Sequence, residues 1–241
     1  MSPIPNTSNG TASVRSLPKQ PGPSSRRRAV FAMLWMLIFP LLNTIYVQLN
    51  NDDRGVHSLL TDLDKALPFI PAFIVPYLLW YGFLFGGLAL LAYRDLPLYG
   101  KTIAALAVTL LTCYVIYFGY QTTVPRPPVL GEDVFARLVR FMQVNDAPYN
   151  CFPSIHAASS YLLLRAYSES KATIGPAIRT AVTTFALLII ASTFFLKQHV
   201  FMDAVGAVIV VELARIAVRT SVNLSRGEHK LYGARNDPAR R

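Results

Sequence analysis

The chain has 241 residues, 53% of them hydrophobic and 15% charged, and carries a formal net charge of +10. A mean hydropathy of +0.37 argues against a soluble domain of this size and for an integral membrane protein. Two cysteines, Cys113 and Cys151, exclude a disulfide framework and read as small buried residues.

Residues 1–28 are rich in Ser, Pro, Asn and Gly, end in Arg26-Arg27-Arg28, and read as a disordered basic cytoplasmic tail. The apolar run 29–49 follows. It is too long for a cleaved signal peptide, and no small-x-small site follows it, so it reads as an uncleaved anchor. A spanning helix needs roughly 20 mostly apolar residues, and five further segments qualify: 69–92, 102–122, 154–168, 176–195 and 199–219. The fourth span, 154–168, is short and holds His156 and Arg165. Pro40 and Pro76 predict kinks in the first two. Between those two, Leu59, Leu60, Leu63 and Leu67 recur at helical spacing, which predicts an interfacial helix within 51–68. The expected fold is all-α: six transmembrane helices in a bundle over 29–219, followed by a basic cytoplasmic tail, 220–241.

The basic excess reports orientation. With both termini inside, cytoplasmic segments hold 17 Lys/Arg and the opposite side holds 6: Arg54, Lys65, Arg126, Arg137, Arg140 and Lys197. This is the positive-inside pattern. It assigns the charge to bilayer contact and gives no role to nucleic acid.

Three polar clusters then fall on the non-cytoplasmic side. In "KQHVFMD", His199 and Asp203 are four apart and share a helix face. A carboxylate there can accept the Nδ1 proton and leave Nε2 to act as nucleophile or ligand; a structural hydrogen-bonded pair is the equal alternative. In "NCFPSIHAASS", Pro153 suits a first helical turn, aiming Ser154 and the free N–H groups at an anion, with His156 one turn in. Ser159 and Ser160 read equally as small packing residues. In "VPRPP", Arg126 sits on stiff backbone and offers a planar fork to phosphate, although a headgroup arginine explains it as well. Lys197 is a phosphate ligand or a snorkelling lysine. Together these residues suit phosphoryl transfer through a phosphohistidine.

The three clusters resemble the signature motifs of the type 2 phosphatidic acid phosphatase superfamily, the membrane lipid phosphate phosphatases. The resemblance implies that His199 attacks phosphorus, Asp203 orients it, His156 protonates the leaving group and Arg126 holds phosphate oxygens, without a metal or cofactor. Three positions depart from the pattern: Gly119 where a lysine is usual, Ile155 where glycine is usual, and Thr193 where arginine is usual. The spelling "CFPSIH" and "KQH" is more similar to the inositol-phosphorylceramide and sphingomyelin synthase branch, whose members pass a phospho-headgroup to a lipid alcohol. The expected partners are a lipid substrate and the bilayer, and the expected location is a bacterial cell membrane with the site facing outward. Two other readings stay open: a zinc site built on two histidines and an aspartate, and a lipid-binding relative without turnover.

Overall fold

The computed structural model describes residues 23–170 and 174–235, and it is helical nearly throughout. In chain order the helices are α1 (Arg27–Leu49), α2 (Asp62–Ala66), α3 (Pro71–Arg94), α4 (Leu96–Gly119), α5 (Val134–Asn145), α6 (Ile155–Glu169), α7 (Pro176–Phe195) and α8 (Phe201–Arg235). Extended pairing among the described residues is a single bridge between His57 and Thr122.

Four helices, α1, α3, α4 and α7, are long and apolar enough to cross a membrane. Six were expected. Helix α6 has 15 residues, short of a full crossing at 1.5 Å per residue. Helix α8 is long enough, but the stretch 201–218 carries Asp203, Glu212 and Arg215. Those charges are paired: Glu212 meets Arg165 of α6 at 2.9 Å and Arg215 at 3.1 Å, and Arg215 and Arg219 both reach Glu169.

Helix α4 is central, packed against α1, α3, α6 and α8. Leu106, Leu110 and Tyr117 from α4, Leu84, Leu88 and Leu91 from α3, Leu163 and Tyr167 from α6 and Val211 from α8 form one core cluster. Outside it, Phe31, Trp35 and Leu41 of α1 and Leu187 of α7 are exposed, the surface of a protein whose surroundings are apolar.

Several boundaries differ from expectation for identifiable reasons. Ahead of the α1 span, helix already begins at Pro23; residues 1–22 lie outside the described set. At the other end, α8 continues unbroken through the boundary expected at 219, and residues 236–241 lie outside the description. Helix α4 starts six residues early because Asp95 caps it, its carboxylate accepting the Leu98 N–H, with a proline in the first turn. The interfacial helix shrinks to five residues. Thr61 and Asp64 close a capping box at its start, and Pro68 forces Leu67 out of the helical region at its end. Leu59 and Leu60 instead pack on Val124, Cys151 and Val200. Near Pro40 the backbone tightens to a 3-10 turn at Leu34–Leu37, and after Pro76 the helix is interrupted at Leu79. Helix α5 was not anticipated at all.

Candidate functional site

The turn between α7 and α8 sets the site. Lys197 takes a left-handed φ of +53°, with Lys197 N–H on Phe194 O and Gln198 N–H on Thr193 O. This closes α7 as a Schellman turn and brings the chain back within two residues to His199. Glycine normally fills that position, and a side chain there is strained. The compensation is local: Lys197 Nζ donates to Asp64 O and Leu67 O, both at 2.6 Å. So this lysine, expected to hold phosphate, spends two of its three N–H bonds anchoring the segment around α2.

His199 is 9% exposed. Its Nδ1 lies 3.2 Å from Asp203 Oδ2 and 3.0 Å from the Cys151 carbonyl. Both neighbours are pure acceptors toward it, so Nδ1 carries the proton in the neutral ring and Nε2 holds the lone pair. Among the described residues Nε2 makes no hydrogen bond. Asp203, fully buried, also accepts the Val200 N–H at 2.9 Å, which closes the first turn of α8 on itself. The sequence reading paired His199 with Asp203 correctly and missed the Cys151 carbonyl. That carbonyl is aimed by Asn150, which holds φ +53° through bonds between its side chain and Tyr46 O and between its amide N–H and Gln121 Oε1.

His156 approaches from α6. Ser154 N–H donates to Asp203 O at 3.1 Å, so the starts of α6 and α8 are directly bonded. The ring centroids of His156 and His199 are 5.9 Å apart. His156 stacks on Tyr77 at 4.5 Å and lies 4.1 Å from Trp80. Trp80 is fixed in turn by its N–H to Ser159 Oγ, and Ser159 donates to Ile155 O. Ser159 thus has a positioning role beyond small size. Ser154 is fully buried, and its hydroxyl caps α6 by accepting the Ala157 N–H. Pro153 lies one residue outside that cap, and Tyr117 holds its carbonyl.

Two cavities meet at His199. The first, about 490 Å³, is lined by Arg126, Lys197 and Lys65 together with apolar Leu67, Phe69 and Phe194. The second, about 670 Å³, contains His156, Tyr77, Tyr81, Asn50 and Asp146. Ser154 lines neither. Cations border only the first. Arg126 donates to Asp146 O at 2.6 Å and sits 3.9 Å from the Asp146 carboxylate, while its Nε is buried with no hydrogen-bond partner among the described residues. Asp146 also accepts from Tyr46 and Asn50. Burial pushes its carboxyl up, against the pull of Arg126. Nothing in the sequence pattern singled out Asp146, whose partners are Tyr46 in α1, Asn50 just past its end, and Arg126.

A metal reading has some geometry behind it. Ligand atoms of Cys151, His199 and Asp203 lie within 4.8 Å of one another. The fit is poor. His199 Nδ1 and Asp203 Oδ2 already bond each other, and burial pushes the Cys151 thiol well up, which disfavours the thiolate a metal takes.

Comparison with family models, with curated proteins and with solved structures finds no match to the chain.

Proposed function

We propose that this protein is a membrane phosphatase or phosphotransferase, acting on lipid phosphates or phosphodiester lipids through a phosphohistidine on His199. The observation that carries the reading is the setting of His199. Its Nδ1–H is held between a carboxylate and a carbonyl, which leaves the lone pair on Nε2, and His199 lines both a cation-bordered apolar cavity and the cavity of a second histidine. A lipid phosphate matches the first cavity, with its chain against Leu67, Phe69 and Phe194 and its oxygens at the Arg126 side. In-line attack by Nε2 forms the P–N bond and breaks the bond from phosphorus to the leaving oxygen. His156, whose ring centroid lies 5.9 Å from that of His199, supplies the proton that oxygen takes. Water or an alcohol then reverses the sequence and frees His199.

Similarity of the three motifs to the type 2 phosphatidic acid phosphatases supports the same assignment, and six spans follow from it. In that arrangement α6 and α8 complete the bundle, with Glu212 neutralised by Arg165 and Arg215 before it meets hydrocarbon. Both termini are then cytoplasmic and the two histidines face outward in a bacterial envelope.

The test is direct. Purified protein in lipid nanodiscs is mixed with labelled lipid phosphates and quenched, and the protein is assayed for acid-labile, base-stable label. Label on the wild type, absent from His199→Ala and unchanged by chelator, is the expected result. Turnover that disappears with chelator, or label that persists in His199→Ala, overturns the proposal.

A further inference from the structure

Four fastenings of the segment between α1 and α3 bear on the site. His57 pairs with the 121–123 strand-like stretch through His57 N–H to Gln121 O and Thr123 N–H to His57 O, both 2.9 Å. Ile70 N–H donates to Phe195 O at the end of α7. Lys197 Nζ holds the Asp64 and Leu67 carbonyls. The fourth fastening is the informative one. Asp64, only 4% exposed, accepts the Phe201 N–H on Oδ1 at 2.7 Å. Its other oxygen accepts from Thr61 N–H at 2.9 Å and from the Thr61 hydroxyl at 2.5 Å.

Phe201 is the first residue of α8, two positions after His199 and two before Asp203. Its N–H has no acceptor within its own helix, as for every first-turn amide. Asp203 already satisfies Val200 N–H from inside the helix. A carboxylate 137 positions away satisfies the next one. The same residue's carbonyl takes the ammonium of Lys197, the strained residue of the turn into His199. One aspartate therefore grips both sides of the nucleophile's short segment.

We propose that Asp64 is a positioning residue for His199: it fixes the start of α8 and the α7–α8 turn, and through them the direction of Nε2. This rests on the phosphohistidine reading for its kinetic consequence. Misplacement of a reacting group by about 1 Å costs on the order of 10²-fold in rate, and the effect falls on the chemical step, because Asp64, although it borders the first cavity, has both carboxylate oxygens engaged by Phe201 and Thr61.

The experiment compares wild type, Asp64→Ala, Asp64→Asn and Lys197→Met in nanodiscs. It measures kcat and KM on one lipid phosphate and hydrogen exchange of the peptide covering 199–203. The peptide covering 105–117 in α4 serves as an internal control. Asp64→Ala should lower kcat by about 10²-fold with KM near wild type, and speed exchange at 199–203 alone. Asp64→Asn keeps an oxygen for Phe201 N–H and should recover most of both quantities. Lys197→Met should loosen the turn and give an intermediate result. Three outcomes would overturn the proposal: wild-type kcat and exchange in Asp64→Ala, no recovery in Asp64→Asn, or exchange that rises equally in α4. If the wild type turns over no phosphate at all, the functional reading fails by itself, and the exchange comparison alone decides whether Asp64 holds the start of α8.

Discussion

Replacing Asp203 by Asn tests how the His199 tautomer is held. In the well-known serine triad the equivalent change costs about 10⁴-fold, because the imidazole turns its proton the wrong way. Here the Cys151 carbonyl, 3.0 Å from Nδ1, still demands a proton there after the carboxylate is gone. What is lost is the charge-assisted part of one hydrogen bond, the difference between about 1.5–3 and about 0.5–1.5 kcal/mol. A loss of about 1–2 kcal/mol corresponds to roughly 5- to 30-fold in the phosphorylation step. A separate cost falls on stability: the new amide N–H group lands where Asp203 Oδ1 is buried with no hydrogen-bond partner among the described residues, a penalty of about 1–3 kcal/mol. The assay is rapid-quench formation of phosphoenzyme from labelled lipid phosphate, with thermal unfolding in nanodiscs alongside. A loss near 10⁴-fold with stability intact would refute the reasoning, since the carbonyl would then not be holding the tautomer.

Further expectations concern neighbouring residues. His156→Ala should slow release of a poor leaving group by about 10²–10⁴-fold and be partly rescued by a p-nitrophenyl ester, measured as product per enzyme; rescue of His199→Ala instead would exchange the two roles. Gly206→Ala places a methyl carbon on Phe152, 2.7 Å from Cζ and closer still to Cε2. Overpacking of about 1–3 kcal/mol outweighs about 1 kcal/mol of helix propensity, so the melting temperature should fall, and Phe152→Ala in the same chain should restore it. For Asp64, burial alone raises its carboxyl, but the Thr61 hydroxyl, the Phe201 and Thr61 N–H groups and Lys197 together hold it below the ordinary 3.8. A depressed carboxylate stabilises the fold above the unfolded-state value and loses that contribution as pH falls through the folded one. The stability gap between wild type and Asp64→Asn should therefore close as pH drops below about 4; a gap that widens with acid contradicts it. Single cysteines at Ser8 and Gly131, in a chain lacking Cys113 and Cys151, should differ toward an impermeant thiol reagent on intact cells, Gly131→Cys reacting and Ser8→Cys not; the opposite pattern reverses the orientation.

The long apolar helices were legible because hydrophobicity over twenty residues is a local property. The spans expected at 29–49, 69–92 and 176–195 lie within two residues of α1, α3 and α7. Local capping was legible in principle and overlooked: Asp95 before α4, and Asp133 before α5, whose carboxylate accepts the Phe135 and Ala136 N–H groups. The pairing of His199 with Asp203 was legible from their spacing of four, although His199 stands two residues ahead of α8 and not on its face. Lys197 and Asp64 were not, since their contact joins positions 133 apart and no periodicity encodes it. Asp146 escaped for the same reason, its partners being Tyr46, Asn50 and Arg126.

The ion pairs between α6 and α8 bear on how the chain is put together. Arg165 leaves the ribosome long before Glu212, its only described carboxylate partner, so a nascent chain that has made α6 and α7 carries an uncompensated guanidinium. Such a helix is a poor candidate to settle alone in lipid, where a central arginine costs about 2.5–3.5 kcal/mol on insertion scales. In the six-span arrangement proposed above, insertion of α6 is deferred until α8 arrives, and His156 on α6 and His199, two residues ahead of α8, reach their places in the same event. A chain cut anywhere before Glu212 lacks more than its last helix: it also loses the reason for α6 to be where it is.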